Sequence, residues 1–110
     1  MKINVGIIGF GRMGQSRYKA LKKLNRFCNV VSISEEMKSI NIKNCNIYND
    51  YKKIINDKSI NAVFICTPNY LNKKITIEAL KKNKHVFCEK PPGLNKKEVL
   101  KIIEYEKKTR

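Results

Sequence analysis

Three closely spaced glycines that follow a short apolar run constrain the fold of this chain more than any other feature of its sequence. The apolar run is Ile3–Ile8, and apolar residues recur at helical spacing from Arg12 onward. Gly9, Gly11 and Gly14 follow the spacing G-x-G-x-x-G. The residues between them are Phe10, Arg12 and Met13. In this context the first glycine permits a tight turn, the second lets a phosphate approach the backbone, and the third lets the helix pack on the strand. The loop therefore predicts a strand–turn–helix unit that binds a dinucleotide at the helix N-terminus.

Strand and helix patterns alternate along the rest of the chain. Short apolar runs end at glycine, proline or polar turns, and longer segments repeat apolar residues at helical spacing. The predicted strands are Ile3–Ile8, Val30–Ser34, Ile47–Tyr48, Ala62–Cys66 and His85–Cys88, and the predicted helices are Arg12–Asn25, Tyr51–Asn56, Tyr70–Lys82 and one that follows a cap at Asn95. Such alternation requires a parallel sheet with helices on both faces. We therefore expect an α/β fold, a Rossmann-type doubly wound sheet in three αβα layers, with all 110 residues in one domain.

An acidic residue is expected where the second strand ends, because a carboxylate there hydrogen-bonds the ribose hydroxyls of a dinucleotide. Glu35 directly follows the strand Val30–Ser34, about 20 residues beyond the glycine loop. Glu36 is the alternative, one residue further on. A carboxylate here repels the additional phosphate of NADP, whereas Ser34 and Lys38 could together accept that phosphate. The expected cofactor is therefore NAD, with NADP as the alternative.

The net charge of +15 raises the question of a polyanionic partner. Nucleic-acid-binding modules usually interleave aromatic side chains with their basic residues so that bases can stack. This chain has no tryptophan, and its lysines occur in pairs on predicted outer helix faces, such as Lys22-Lys23 and Lys81-Lys82. We therefore expect a solvated basic surface that helps to attract a phosphorylated ligand, and no nucleic-acid partner.

The cysteines and the N-terminal segment weigh against other classes of protein. The four cysteines form no C-x-x-C pair and the only histidine is His85, which we interpret as structural, so no metal site is expected. The N-terminal apolar run is short, is broken by Gly6 and Gly9 and is followed by Arg12, as in a strand rather than a signal peptide. No stretch approaches the length of a membrane span. We expect a reduced, cytoplasmic protein with no membrane partner.

Two further motifs follow later strands. The tripeptide Thr67–Asn69 follows the fourth predicted strand, and Glu89–Pro91 follows the fifth. Together with the glycine loop, in this order and spacing, they make the chain resemble the N-terminal domain of the Gfo/Idh/MocA oxidoreductases, which include glucose–fructose oxidoreductase and inositol dehydrogenase. The resemblance covers nearly the whole chain and implies an NAD(P)-binding Rossmann domain over residues 1–110.

The resemblance implies roles for individual residues at the ends of these strands. In the family, the residues after the fourth strand line the cofactor beside the nicotinamide, which assigns Thr67, Pro68 and Asn69 to cofactor binding. The lysine of the later motif lies near the nicotinamide and the reacting carbon of the substrate, which assigns the catalytic role to Lys90. An ammonium group there can hydrogen-bond an alcohol or keto oxygen and stabilise developing negative charge. Glu89 is expected to position the cofactor or the lysine.

The activity implied by the resemblance is hydride transfer between the nicotinamide cofactor and an alcohol or ketone of a sugar, cyclitol or sugar nucleotide. Family members continue into a second domain that supplies the substrate pocket, a proton-transferring Asp and His, and most subunit contacts. We therefore expect this chain to be a cofactor-binding half that is inactive alone and forms homo-oligomers only with that domain.

The chain departs from the family pattern at a few positions. Asn72 stands where the family often has histidine, and Pro92 and Gly93 follow the lysine motif where other residues are usual. These departures leave the cofactor contacts in place and concern the fine geometry of the site. The alternative function is a non-catalytic, nucleotide-sensing Rossmann module. The motif Glu89–Pro91 favours the enzyme, because a sensor has no need of it.

Overall fold

Within the residues that the structure describes, five parallel strands form one sheet. The structure is a computed structural model that describes residues 2–37, residues 39–89 and six positions of the C-terminal stretch, which are Lys97, Val99, Leu100, Ile102, Ile103 and Glu106. In chain order the elements are β1 (Ile3–Ile8), α1 (Arg12–Lys22), β2 (Cys28–Ser34), β3 (Asn46–Tyr48), α2 (Lys52–Ile55), β4 (Ala62–Ile65), α3 (Asn69–Lys81) and β5 (His85–Cys88).

The order of the strands creates a crevice beside β1. The sheet runs β3-β2-β1-β4-β5, so the first strand lies in the middle. The chain moves outward from β1 through β2 to β3, and then returns to the other side of β1 for β4 and β5. Where the direction reverses, between β1 and β4, a crevice opens outside the carboxyl ends of the strands. This is the position at which open α/β sheets bind ligands.

Residues of β1 divide the core into two layers, because successive side chains of a strand point to opposite faces. Ile7 packs in the layer beneath α1, and Ile8 packs in the layer beneath α2 and α3. The α1 layer is built from Val5, Ile7, Phe10, Leu21, Cys28 and Ile33. The opposite layer is built from Ile8, Ile54, Ile55, Ile60, Val63, Ile65, Ile75 and Ala79. The expected Rossmann-type sheet with helices on both faces is therefore confirmed.

The turn between α1 and β2 is where the element bounds differ most from those expected. The helix ends at Lys22 rather than Asn25, because the chain then tightens into turns in which the N–H of Cys28 donates to the carbonyl oxygen of Leu24 at 3.1 Å. Leu24 lies in this turn and is exposed. β2 begins earlier than expected, at Cys28, which pairs with Ile3 of β1.

The last predicted helix falls in the C-terminal stretch. Its described positions are helical, with Val99 and Ile102 half-buried and Ile103 exposed. The expected cap at Asn95 lies outside the described residues. In the described part of the chain, none of the helices combines the length and apolar character that crossing a membrane requires.

Candidate functional site

The turn out of β1 requires glycine at its first position. Gly9 has a φ of +92°, a conformation that residues with a side chain rarely adopt. A Cβ atom at Gly9 would lie 2.7 Å from the carbonyl oxygen of Cys66 and 3.0 Å from the backbone nitrogen of Thr67. The N–H of Gly9 donates to the carbonyl oxygen of Ser34 at 2.9 Å. The absence of a side chain thus lets the ends of β1, β2 and β4 meet at one point.

Gly14 and Gly11 have opposite surroundings. Gly14 is buried in the first turn of α1, and a Cβ atom there would collide with the carbonyl oxygen of Gly9, so the helix packs directly on the turn. A Cβ atom at Gly11 would meet no heavy atom of the described residues within 4 Å, and no described side chain caps the helix there. The N–H groups of the helix N-terminus carry a partial positive charge. The open backbone beside them fits a diphosphate group.

The remaining residues of the glycine loop divide between core and surface. The ring of Phe10 is buried and packs edge-on against Tyr18, with 5.9 Å between the ring centres. Arg12 and Met13 are exposed in the first turn of α1. Arg12 and Met13 can therefore contribute to a ligand site through their side chains, whereas the ring of Phe10 belongs to the core.

Glu35 reaches from the end of β2 back to the glycine loop. One carboxylate oxygen accepts the N–H of Phe10 at 2.7 Å, and the other accepts the N–H of Met37 at 3.0 Å. The backbone N–H of Glu35 donates to the carbonyl oxygen of Tyr48 at 3.0 Å, which ties the segment to β3. A carboxylate has about four acceptor sites, so Glu35 can still accept hydrogen bonds from hydroxyl groups.

The neighbours of Glu35 are placed differently. Glu36 is exposed, and Lys38 lies outside the described residues. Ser34 is buried, with 3% of its surface accessible. Of the two carboxylates considered from the sequence, Glu35 is the one hydrogen-bonded to the glycine loop. The burial of Ser34 weighs against its use as part of a phosphate-accepting pair.

The segment after β4 leads directly into α3. Pro68 is the N-cap of this helix and Asn69 is its first residue, and both are exposed. The hydroxyl of Thr67 donates to Oδ1 of Asn72 at 3.1 Å. Asn72 is fully buried, and its Nδ2 donates to the carbonyl oxygen of Glu89 at 3.4 Å. Asn72 therefore links the end of β4 to the end of β5.

Glu89 follows β5 and pairs with Arg17 of α1. The Nε and Nη2 atoms of Arg17 donate to the two carboxylate oxygens of Glu89 at 2.5 and 3.1 Å. The Cζ atom of Arg17 lies 4.9 Å from the ring centre of Phe87. The hydrogen bond to Glu89 raises the pKa of Arg17. Lys90 and Pro91 lie outside the described residues.

Cys66, the residue that follows β4, carries a neutral thiol. Burial is the main cause that raises the pKa of Cys66 to about 12, and the negative charge of Glu89 adds to it. Cys66 is therefore protonated at neutral pH and is a poor nucleophile. Among the described residues, no group of three or more His, Cys, Asp or Glu side chains could hold a metal ion.

Sequence reasoning missed the two side chains that hold Glu89. From the sequence, Arg17 is one position of a helical pattern, whereas the structure places it on the carboxylate that precedes Lys90. One signal could have pointed to it: Arg17 shares a helix stripe with Gly14 and Leu21, which are buried. A charged residue on an inward stripe needs a partner. The identity of that partner, 72 positions away, has no local signal.

The chain is similar to known dehydrogenases over nearly its whole length. Residues 3–110 match the family model for Gfo/Idh/MocA proteins, described as an oxidoreductase family with an NAD-binding Rossmann fold. Inositol 2-dehydrogenase of Salmonella paratyphi B is 30% identical over an alignment of 118 positions. The alignment covers 98% of this chain and 34% of that protein. Myo-inositol 2-dehydrogenase of Thermotoga maritima is 32% identical over 114 residues, which cover 96% of this chain and 33% of that protein.

A solved structure shows the same fold. Levoglucosan dehydrogenase in complex with NADH matches with a TM-score of 0.89 at 28% identity, and the match covers 97% of this chain and 32% of that one. The chain therefore spans about a third of the length of the relatives it matches.

Proposed function

This chain belongs to the Gfo/Idh/MocA oxidoreductase family and corresponds to the part with the NAD-binding Rossmann fold. We propose that it binds NAD across the carboxyl ends of β1 and β4, as the cofactor-binding part of a dehydrogenase. The observation that carries the proposal is the open backbone at Gly11. It lies at the N-terminus of α1, and the Glu35 carboxylate is hydrogen-bonded to the neighbouring Phe10. Together these features offer donors to a diphosphate and an acceptor to a ribose at the switch point of the sheet.

The adenosine half of the cofactor belongs on the β2 side of the crevice. Backbone N–H groups of Gly11–Gly14 would hold the diphosphate, with Arg12 adding positive charge, because the N–H groups of Gly9 and Phe10 already donate to Ser34 and Glu35. Glu35 would accept hydrogen bonds from the ribose hydroxyls. A 2′-phosphate in the same place would meet the negative charge of Glu35, so we propose NAD rather than NADP as the cofactor.

The nicotinamide half then belongs on the β4–β5 side. Thr67, Pro68 and Asn69 would line it after β4, and Glu89 and Lys90 would flank it after β5. When bound, the nicotinamide ring supplies the group that accepts or donates a hydride. The ammonium group of Lys90 would hydrogen-bond the oxygen of an alcohol or ketone and stabilise negative charge on it. The inositol and levoglucosan dehydrogenases among the relatives support a sugar or cyclitol substrate for the complete enzyme.

The setting proposed for the chain is the reducing cytoplasm. All four cysteines are free thiols. Free thiols without disulfides are typical of proteins in reducing compartments.

Calorimetric titration with NADH tests the proposal through the variant Gly11→Val. A valine side chain would occupy the open space beside the helix N-terminus, so we expect NADH binding to be lost while the fold is kept. The backbone at Gly11 has a φ of −77°, which residues with a side chain can adopt.

Ala20→Val is the matched control, because Ala20 is exposed two turns further along α1. It introduces the same β-branched residue into the same helix and should leave NADH affinity unchanged. Circular dichroism and a thermal melt would show that both variants fold. If folded Gly11→Val binds NADH as tightly as the wild type does, the glycine loop is not the diphosphate site.

A further inference from the structure

The pair formed by Arg17 and Glu89 joins the start of the chain to the end of β5. Arg17 lies in the second turn of α1, 72 positions before Glu89. The guanidinium group binds both carboxylate oxygens, and this two-point contact fixes the orientation of the carboxylate as well as its position. The guanidinium also lies over the ring of Phe87, 4.9 Å from its centre. The side chain of Glu89 is thus restrained from one side of the sheet.

The backbone of Glu89 is restrained from the other side. Its N–H donates to the carbonyl oxygen of Ile65 at 3.0 Å, which continues the pairing of β4 with β5. Its carbonyl oxygen accepts the Nδ2 group of the buried Asn72 at 3.4 Å. Asn72 in turn accepts the hydroxyl of Thr67. Side chain, N–H and carbonyl of Glu89 are therefore each held by a different element.

The location of Glu89 relates its contacts to the proposed ligand site. The Glu35 carboxylate, on the β2 side of the glycine loop, marks the ribose of the adenosine half. Glu89 lies across the crevice, beyond β4, where the other half of a dinucleotide must extend. Glu89 also immediately precedes Lys90 in the sequence.

We propose that Arg17 and Asn72 are positioning residues for the nicotinamide half of the site, acting by holding the carboxylate and the backbone of Glu89. The inference rests on the proposed function, because it assumes that NAD lies across β1 and β4. Arg17 is one-third exposed and Glu89 is 16% exposed. The two-point contact at a strand end fixes the direction of the Glu89 carboxylate, as the orientation of a ligand site requires.

Titration with two ligands distinguishes a positioning role of Arg17 from a contribution to the overall stability of the fold. NADH contains both halves of the dinucleotide, whereas ADP-ribose contains the adenosine half, the diphosphate and the second ribose and lacks only the nicotinamide ring. Titration of the wild type and of Arg17→Met with each ligand gives a ratio of two affinities. We expect Arg17→Met to weaken NADH binding roughly tenfold and to change ADP-ribose binding by less than about twofold. Lys19→Met, at an exposed position of α1, is the matched control and should change neither affinity.

Further variants keep the inference testable if Arg17→Met does not fold. Arg17→Lys keeps the charge and removes the two-point contact, so it should retain ADP-ribose affinity and recover little of the NADH affinity. Asn72→Asp keeps the shape of the side chain and removes the donor to the Glu89 carbonyl. Like Arg17→Met, it should lower the ratio of NADH affinity to ADP-ribose affinity.

The outcomes of these titrations distinguish a failure of the positioning role from a failure of the proposed NAD binding. Equal losses for NADH and ADP-ribose in the folded variants would show that Arg17 is merely structural, and unchanged NADH affinity would also overturn the inference. In both cases the proposed function would stand. A folded wild type that binds neither ligand would overturn the proposed function, and the inference with it.

Discussion

Glu35 combines a structural role with a proposed role in ligand binding. Its carboxylate holds the N–H groups of Phe10 and Met37, and both hydrogen bonds have normal lengths. The same carboxylate has acceptor sites left for ribose hydroxyls. Removing it would therefore loosen the glycine loop slightly and remove the proposed contact to the ribose, as well as the negative charge that opposes a 2′-phosphate.

Replacing Glu35 by serine should narrow the preference for NADH over NADPH. Loss of a hydrogen bond to a charged group costs about 1.5–3 kcal/mol, which corresponds to roughly a tenfold or larger loss of NADH affinity. Loss of the carboxylate charge should at the same time improve NADPH binding. Calorimetric titration with both cofactors measures the two affinities.

Glu36→Ser is the control for this experiment, since Glu36 is the exposed neighbour. It should leave the ratio of NADH to NADPH affinity as in the wild type. A wild type that prefers NADPH would show that the assignment of Glu35 is wrong.

At the scale of elements, the connections at the amino edge of the sheet depend on a buried lysine. Lys84, directly before β5, is 7% exposed, and its ammonium group donates to the carbonyl oxygens of Asp57 at 2.6 Å and Ile60 at 2.7 Å. Those carbonyls belong to the turn between α2 and β4. Burial lowers the pKa of Lys84, and the negative charge of Asp57 opposes that effect. The side chain of Lys84 thus links the segments that lead into β4 and β5, at the edge of the sheet opposite the proposed cofactor site.

Replacing Lys84 by methionine should destabilise the fold. The carbonyl oxygen of Ile60 would lose its described donor, and leaving such a group unsatisfied costs about 1–3 kcal/mol, whereas the carbonyl of Asp57 keeps the backbone N–H of Ile60. Lys82→Met is the matched control, because Lys82 is exposed, and it should change the free energy of unfolding by less than about 0.5 kcal/mol. Urea unfolding monitored by circular dichroism measures both values. Equal stability of the two variants would show that the contacts of Lys84 contribute nothing net.

At the scale of the whole molecule, the order of the strands brings distant segments into one crevice. The glycine loop, Glu35, the segment after β4 and Glu89 all follow carboxyl ends of parallel strands. Because the order reverses between β1 and β4, these segments face one another from the two sides of the reversal. A bound dinucleotide would therefore contact both halves of the sheet and link them.

NADH should stabilise the molecule against heat. A ligand that binds only the folded state, at about 100 times its dissociation constant, adds roughly 2.7 kcal/mol to the free energy of unfolding. For a domain of this size that corresponds to a rise in melting temperature on the order of 10 °C. A thermal melt with and without NADH measures the shift, and Gly11→Val should show none. A melting temperature of the wild type that NADH leaves unchanged would contradict the proposed binding.

Most of the fold could be predicted from local patterns. The bounds of β1 and β5 and the start of α1 agree with the sequence prediction, because apolar runs, glycines and prolines mark these points in the chain itself. Glu35 was predicted as the acidic residue after the second strand, with Glu36 as the alternative, and the structure places Glu35 directly after β2, hydrogen-bonded to Phe10. The end of α1 was not, since the turn that replaces its last residues depends on the pairing of Cys28 with Ile3 of β1.

What the sequence determined by itself is most of the local structure, and above all the glycine loop. A residue without Cβ is required at Gly9, where φ is +92° and backbones meet, and at Gly14, where the helix packs on the turn. Only the tertiary structure decided which side chains meet. Arg17 reaches Glu89, and Asn72 spans the ends of β4 and β5. These contacts form because a parallel sheet brings strand ends from distant parts of the chain to one edge, and no spacing along the chain encodes that distance.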